Sequence, residues 1–223
     1  MAVPAKIAPP RLPKVYVRTR LFRDLDRALK HPVVWITAPA GYGKTTLVAS
    51  YLKARKRPTL WYQLDEGDAD IATYFHYLGL AAKRTAPRVH WSLPAFTPEY
   101  FAALPVFARR YFEQLAARMP ARTVAVLDNF QAVPPEALLH EVIHNGFAQI
   151  LEGMSVVIIS RYPPPAVYVA DRANEVIAVI DHEALRLTEA ESIGICRARR
   201  PSWWPKRRDS CTRAPTVGRP HSC

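Results

Sequence analysis

Cysteine is missing from the first 195 residues, and the three in the chain (Cys196, Cys211, Cys223) all fall in the last segment. A cysteine-free body excludes a disulfide scaffold and suits a reducing compartment such as the cytoplasm. Long apolar runs are also lacking. Nothing approaches the ~20 residues that span a bilayer, and the opening MAVPAKIAPPRLPK has no apolar core of the signal-peptide kind, which argues against membrane spanning and secretion. Glycine is scarce at 8 against 21 prolines, so rigid corners outnumber flexible hinges.

Charge is abundant but uneven. The net +12 resembles a nucleic-acid signature until it is divided: residues 196–223 carry +7, and the first 195 carry +5. The basic excess therefore belongs mainly to the C-terminal segment, which weakens the reading of a protein that binds nucleic acid through charge. That segment has no helical or strand period and is rich in Arg, Pro and Ser, as disordered chain is. It reads as an aberrant ending, such as a shifted frame, in preference to a native basic tail, because it breaks off a helix start at Thr188-Glu189-Ala190-Glu191. Trp203-Trp204, among basic residues, are read as part of this tail rather than as a base-stacking pair.

Between these ends the pattern alternates. Five short β-rich runs, Val33–Thr37, Thr59–Gln63, Thr123–Leu127, Val156–Ser160 and Val176–Ile180, are apolar without alternation, as in strands buried on both faces. Helical spacing fills the gaps: Leu21/Leu25/Leu29, then Lys44–Arg55, then a helix capped by Asp70. Another region opens at Thr97-Pro98, and a further helix has Pro135 at its first position and Gly153 past its end. The expected fold is α/β, a P-loop NTPase with a mostly parallel central sheet flanked by helices. The expected division is an extended arm over 1–20, the NTPase domain over 21–192 and a basic tail over 193–223.

One stretch carries chemistry. Ala38-Pro39-Ala40-Gly41-Tyr42-Gly43-Lys44-Thr45-Thr46 follows the first strand and opens a helix, the context a Walker A loop requires. Gly41 and Gly43 allow the backbone to turn successive N–H groups inward as a nest for phosphate oxygens, and the helix N-terminus adds partial positive charge. Lys44 suits the β- and γ-phosphates, and the Thr45 hydroxyl suits Mg²⁺. Ala38 stands where the general pattern has glycine. Asp128, after four apolar strand residues, is the matching Walker B carboxylate for Mg²⁺. The next residue is Asn129, which cannot accept a proton, so at most slow Mg²⁺-dependent ATP hydrolysis is expected. Arg161, at the tip of the fourth strand, is placed to sense the γ-phosphate. His140 and His144, spaced i, i+4, read as a surface helix pair rather than metal ligands. Asp65–Asp70 reads as a solvated loop ending in a helix cap rather than a calcium loop.

Pro9-Pro10-Arg11-Leu12-Pro13, Val17-Arg18-Thr19-Arg20-Leu21 and the APAGYGKTT loop together resemble the start of the MalT-like, large LuxR-type transcriptional regulators, STAND-class NTPases. Leu60–Glu66, Leu127–Phe130, Ser160–Pro163 and Leu185–Thr188 match later blocks in the same order, so the resemblance covers about residues 5–192. The resemblance implies an AAA-like ATP-binding switch with an ADP-bound resting form and a self-associating ATP-bound form. It also implies that Val17 and Arg18 lie near the nucleotide base. The family's helical sensor and helix-turn-helix have no counterpart in this sequence, which is expected to read no DNA directly. A freestanding P-loop ATPase or small-molecule kinase is the competing expectation.

Overall fold

The computed structural model describes residues 4–12, 15–150 and 154–198. It has two compact units. One spans Val17–Arg186 together with the segment ending at Leu12, and the other is built from Leu187 onward with a short stretch before Val17.

The larger unit is a five-stranded sheet whose paired strands all run parallel. Strands β1 (Val33–Thr37), β2 (Thr59–Gln63), β3 (Val124–Asp128), β4 (Ser155–Ser160) and β5 (Ile177–Ile180) lie in the order β2-β3-β4-β1-β5. Helices α1 (Thr19–Ala28), α2 (Lys44–Ala54), α3 (Ile71–Thr85), α4 (Leu104–Ala116), α5 (Leu139–Phe147) and the short α6 (Val169–Ala173) complete it. This is the expected α/β architecture, consistent with a P-loop NTPase fold. All five β-rich runs form strands, with limits moved by one residue at three of them.

Alternation along each buried strand feeds two cores. Trp35, Leu60, Tyr62, Leu127 and Ile158 point to one face and pack with α3, α4 and α5. Val34, Ile36, Trp61, Val126, Val157 and Ile159 point to the other and pack with α1 and α2. Burial on both faces is why the strands lack a polar period.

Several local departures have physical causes. Residues 4–12 are not wholly extended: Ala5–Ile7 form a 3-10 turn that buries Ile7. Lys6 pairs with both Asp65 and Asp68 at 2.8 Å, so the Asp65–Asp70 stretch is not simply solvated. Asp68 is fully buried, accepting from the Tyr62 hydroxyl at 2.6 Å and the Asp65 amide at 2.9 Å. Asp70 does cap α3, through the Thr73 amide. Pro105 sits at the second position of α4, where no amide donor is needed, and so opens the helix rather than interrupting it. The helix expected from Pro135 starts only at Leu139. A turn precedes it, closed by Ala137 N–H to Pro134 C=O, and the expected stop at Gly153 lies outside the described residues.

In the smaller unit, α7 (Glu189–Ala198) runs three residues beyond Ile195. Thr188 and Glu191 form a capping box: each side chain accepts from the other's amide. Trp203 and Trp204 lie outside the described residues. No helix among the described residues is long and apolar enough to cross a membrane.

Candidate functional site

Parallel strands present their carboxyl ends on one edge of the sheet, and the strand order puts β3, β4 and β1 side by side. Their exits therefore bring together Asp128, Ser160-Arg161 and the loop that follows Thr37. Ligands of open α/β sheets bind at such an edge.

The loop from Ala38 to Gly43 turns through two left-handed residues, Gly41 at φ 86° and Gly43 at φ 76°. A Cβ built on either glycine would meet nothing within 4 Å, so the requirement for glycine is conformational, with open space above the loop. Gly43 is the N-cap of α2, whose first-turn amides have no intrahelical acceptors and lie beside that space. Ala38 is buried, and its amide donates to the Ser160 carbonyl at 3.4 Å, so the methyl group that replaces the usual glycine is accommodated in the core. Pro39 and Ala40 are exposed, and the Tyr42 ring packs on the α1/α2 core.

Lys44 is nearly buried and folds back on its own loop, donating to the carbonyls of Ala38 and Pro39. Burial lowers its pKa and the neighbouring Arg161 charge lowers it further, while Asp128 opposes both. An anion would relieve the strain of two cations in one pocket. Thr45 donates from Oγ1 to Asp128 Oδ1 at 3.1 Å. Asp128 Oδ1 also accepts the Asn129 amide at 2.9 Å, yet burial raises the carboxyl above the usual carboxylate range. A buried carboxylate beside a hydroxyl is a hard-oxygen pair that a divalent cation would stabilise. Among the described residues no three His, Cys, Asp or Glu side chains gather into a metal cage. Thr46 sits in the first turn of α2, partly exposed.

The other anticipated residues are placed variously. Arg161 is exposed, and its backbone amide donates to Gln131 Oε1 at 3.0 Å. Val17 is exposed, whereas Arg18 is buried and donates to the carbonyls of Leu185 and Arg186 at 2.9 Å each, clamping the segment after β5. Arg20, the second residue of α1, does the same, to the carbonyls of Ala184 and Arg186.

Two residues acquire roles that the linear pattern does not reveal. Asn129 adopts φ 64°, a conformation asparagine tolerates better than most residues, and its Nδ2 donates to the Leu64 carbonyl at 2.9 Å. Gln131 bridges Asn129 Oδ1 and the Arg161 amide, tying the exit of β3 to that of β4. The only hint of Gln131 in the sequence is its position two residues past Asn129. The His140–His144 pair is not a surface pair. His140 is buried, bonded to the Pro134 carbonyl at 3.0 Å, and burial lowers its pKa. His144 meets Asp171 at 3.1 Å.

No protein-family model matches the chain. It is 30% identical over 207 residues, 90% of its length, to the HTH-type transcriptional regulator MalT of Cronobacter sakazakii, and it spans 22% of that relative. With the parallel α/β fold and the glycine loop already placed, this similarity supports a MalT-like relationship.

Proposed function

We propose that the chain carries the nucleotide-binding switch of a MalT-like, LuxR-type transcriptional regulator, acting in the cytoplasm as a STAND-class, AAA-like P-loop NTPase. Its ligands are ATP and ADP with Mg²⁺. The observation that supports this most is the juxtaposition of Lys44 and the left-handed glycine loop with the Thr45–Asp128 hydroxyl–carboxylate pair.

In this reading the amides of Gly41 to Thr45 face the β-phosphate, and Lys44 exchanges its two loop carbonyls for phosphate oxygens. Thr45 Oγ1 and Asp128 hold Mg²⁺, which when bound neutralises phosphate charge. The loss of their mutual hydrogen bond is offset by relief of the buried carboxylate. Arg161, already close enough to perturb Lys44, meets the γ-phosphate and distinguishes ATP from ADP. Arg18 positions the segment after β5, and Val17 lies against the nucleotide base.

Turnover is slow at best. The Asn129 side chain is an amide engaged with Leu64 and Gln131, and it offers no base for the attacking water. The output is therefore a conformational state, with self-association in the ATP form, rather than a product.

Calorimetric titration of ADP into the folded chain tests this. Saturable, Mg²⁺-strengthened binding that weakens about tenfold to a hundredfold in Lys44→Ala is the expected result. A folded chain that takes up no nucleotide refutes the reading.

A further inference from the structure

At the opposite end of the sheet from the glycine loop, a cleft of about 390 Å³ opens beside the start of edge strand β2. Its walls are the Pro9–Leu12 segment and the last turns of α2. Pro9, Pro10 and Leu12 contribute apolar surface over the buried Leu52 and Trp61, while Arg11, Lys53, Lys56 and Arg57 contribute four cations. Among the described residues no acidic side chain lines it. Asp26 is the carboxylate that feels the charge of Arg57, and it is already held by the Tyr51 hydroxyl and the Arg55 guanidinium.

Two features mark the cations as more than a solvated surface. Arg57 is only partly exposed and its Nε is buried without a hydrogen-bond partner, so its guanidinium stands at the cleft as a partly desolvated cation. Lys56 closes α2 in a Schellman turn, in which Arg57 N–H reaches Leu52 C=O and Lys56 N–H reaches Lys53 C=O. Its φ of 49° is the position where glycine is strongly preferred. The chain places a cation at a point of backbone strain, on the rim of an apolar hollow.

We propose that this cleft is a second binding site, for a small organic anion whose flat apolar body lies against Pro9, Pro10 and Leu12 and whose phosphate, sulfonate or carboxylate meets Lys56 and Arg57. The volume is within the range of small-molecule pockets, roughly 300–1,000 Å³. The mixture of an apolar floor and a cationic rim selects an amphipathic anion over an inorganic ion. The site is independent of the nucleotide reading, because none of its lining residues belongs to the glycine loop.

The test is a fluorescence titration of the full chain with anilinonaphthalene sulfonate, alongside the neutral N-phenylnaphthylamine of the same body. We expect saturable binding of the sulfonate, and binding of the neutral probe at least about tenfold weaker, as for loss of a charge-assisted contact. Lys56→Gly removes a cation while favouring the existing backbone, so it folds at least as well. It weakens the sulfonate several-fold, and adding Arg57→Gln weakens it by about tenfold in all. Lys44→Ala, and Arg109→Gln with Arg110→Gln on the exposed face of α4, leave it unchanged. The proposal is overturned if no saturable binding occurs, if both probes bind equally, or if Lys56→Gly at an undiminished melting temperature leaves the sulfonate affinity intact.

Discussion

The two faces of the sheet are built from the same five strands but from different materials. Under α3, α4 and α5 the core is aromatic: Trp35 meets Phe130 at 5.0 Å and Tyr168 at 5.5 Å between ring centres, and Phe75 meets Tyr111 at 4.6 Å. Under α1 and α2 the sheet contributes mostly valine and isoleucine. Large rings bury the most area per residue and fix one arrangement. The aliphatic layer instead carries α2, the helix whose two ends hold the glycine loop and the basic cleft. One face chiefly secures the fold, and the other chiefly positions polar groups at its ends.

The largest effect should come from the aromatic face. Trp35→Ala removes a fully buried ring and should cost about 3–5 kcal/mol of stability, read by denaturant unfolding. A cost near zero would break the contrast between the faces. Lys6→Ala is next. It strips the counter-charge from buried Asp68 and the cation from above the Tyr62 and Tyr77 rings, 5.5 and 5.1 Å away. About 2 kcal/mol is expected, less than for a fully buried pair because the Lys6 side chain keeps some exposure. That is a fall in melting temperature of roughly 4–8 °C.

On the other face the sign of the effects changes. Lys44→Ala should reduce ADP affinity by about tenfold to a hundredfold while leaving unfolding nearly unchanged, because its present partners are loop carbonyls. Asp128→Asn gives the smallest and most diagnostic effect. A carboxyl whose folded pKa is raised binds its proton more tightly when folded, so stability falls as pH rises from its unfolded to its folded pKa. Above that window the cost is fully present. The asparagine variant should therefore melt slightly higher than the parent at neutral pH without nucleotide. The advantage should fade toward acid, and Mg²⁺ dependence should be lost. An unchanged pH profile would show that the carboxylate is not strained.

This contrast also explains what the sequence made legible. The five strands and the loop–helix junction at Gly43–Lys44 were readable because burial on both faces and the need for left-handed backbone leave strong local marks. The Lys6–Asp68 pair was not, since it joins positions far apart in the chain and Asp68 looks like one acid in a polar run. His140 misled for a similar reason: helical spacing gives its face but not the Pro134 carbonyl and the Tyr168 ring that bury it. Gln131 stayed hidden because its role depends on the turn made by Asn129.

The central claim is that the Gly41–Thr45 amides and Lys44 form a grip for nucleotide phosphates, and the backbone amide resonances of that loop report on it most directly. Added ADP and Mg²⁺ should move the Gly41, Gly43 and Lys44 signals along one saturable curve, leaving those of Lys56 and Arg57 in place. Loop resonances that stay fixed at millimolar ADP, in a chain whose remaining spectrum is that of a folded protein, would contradict it.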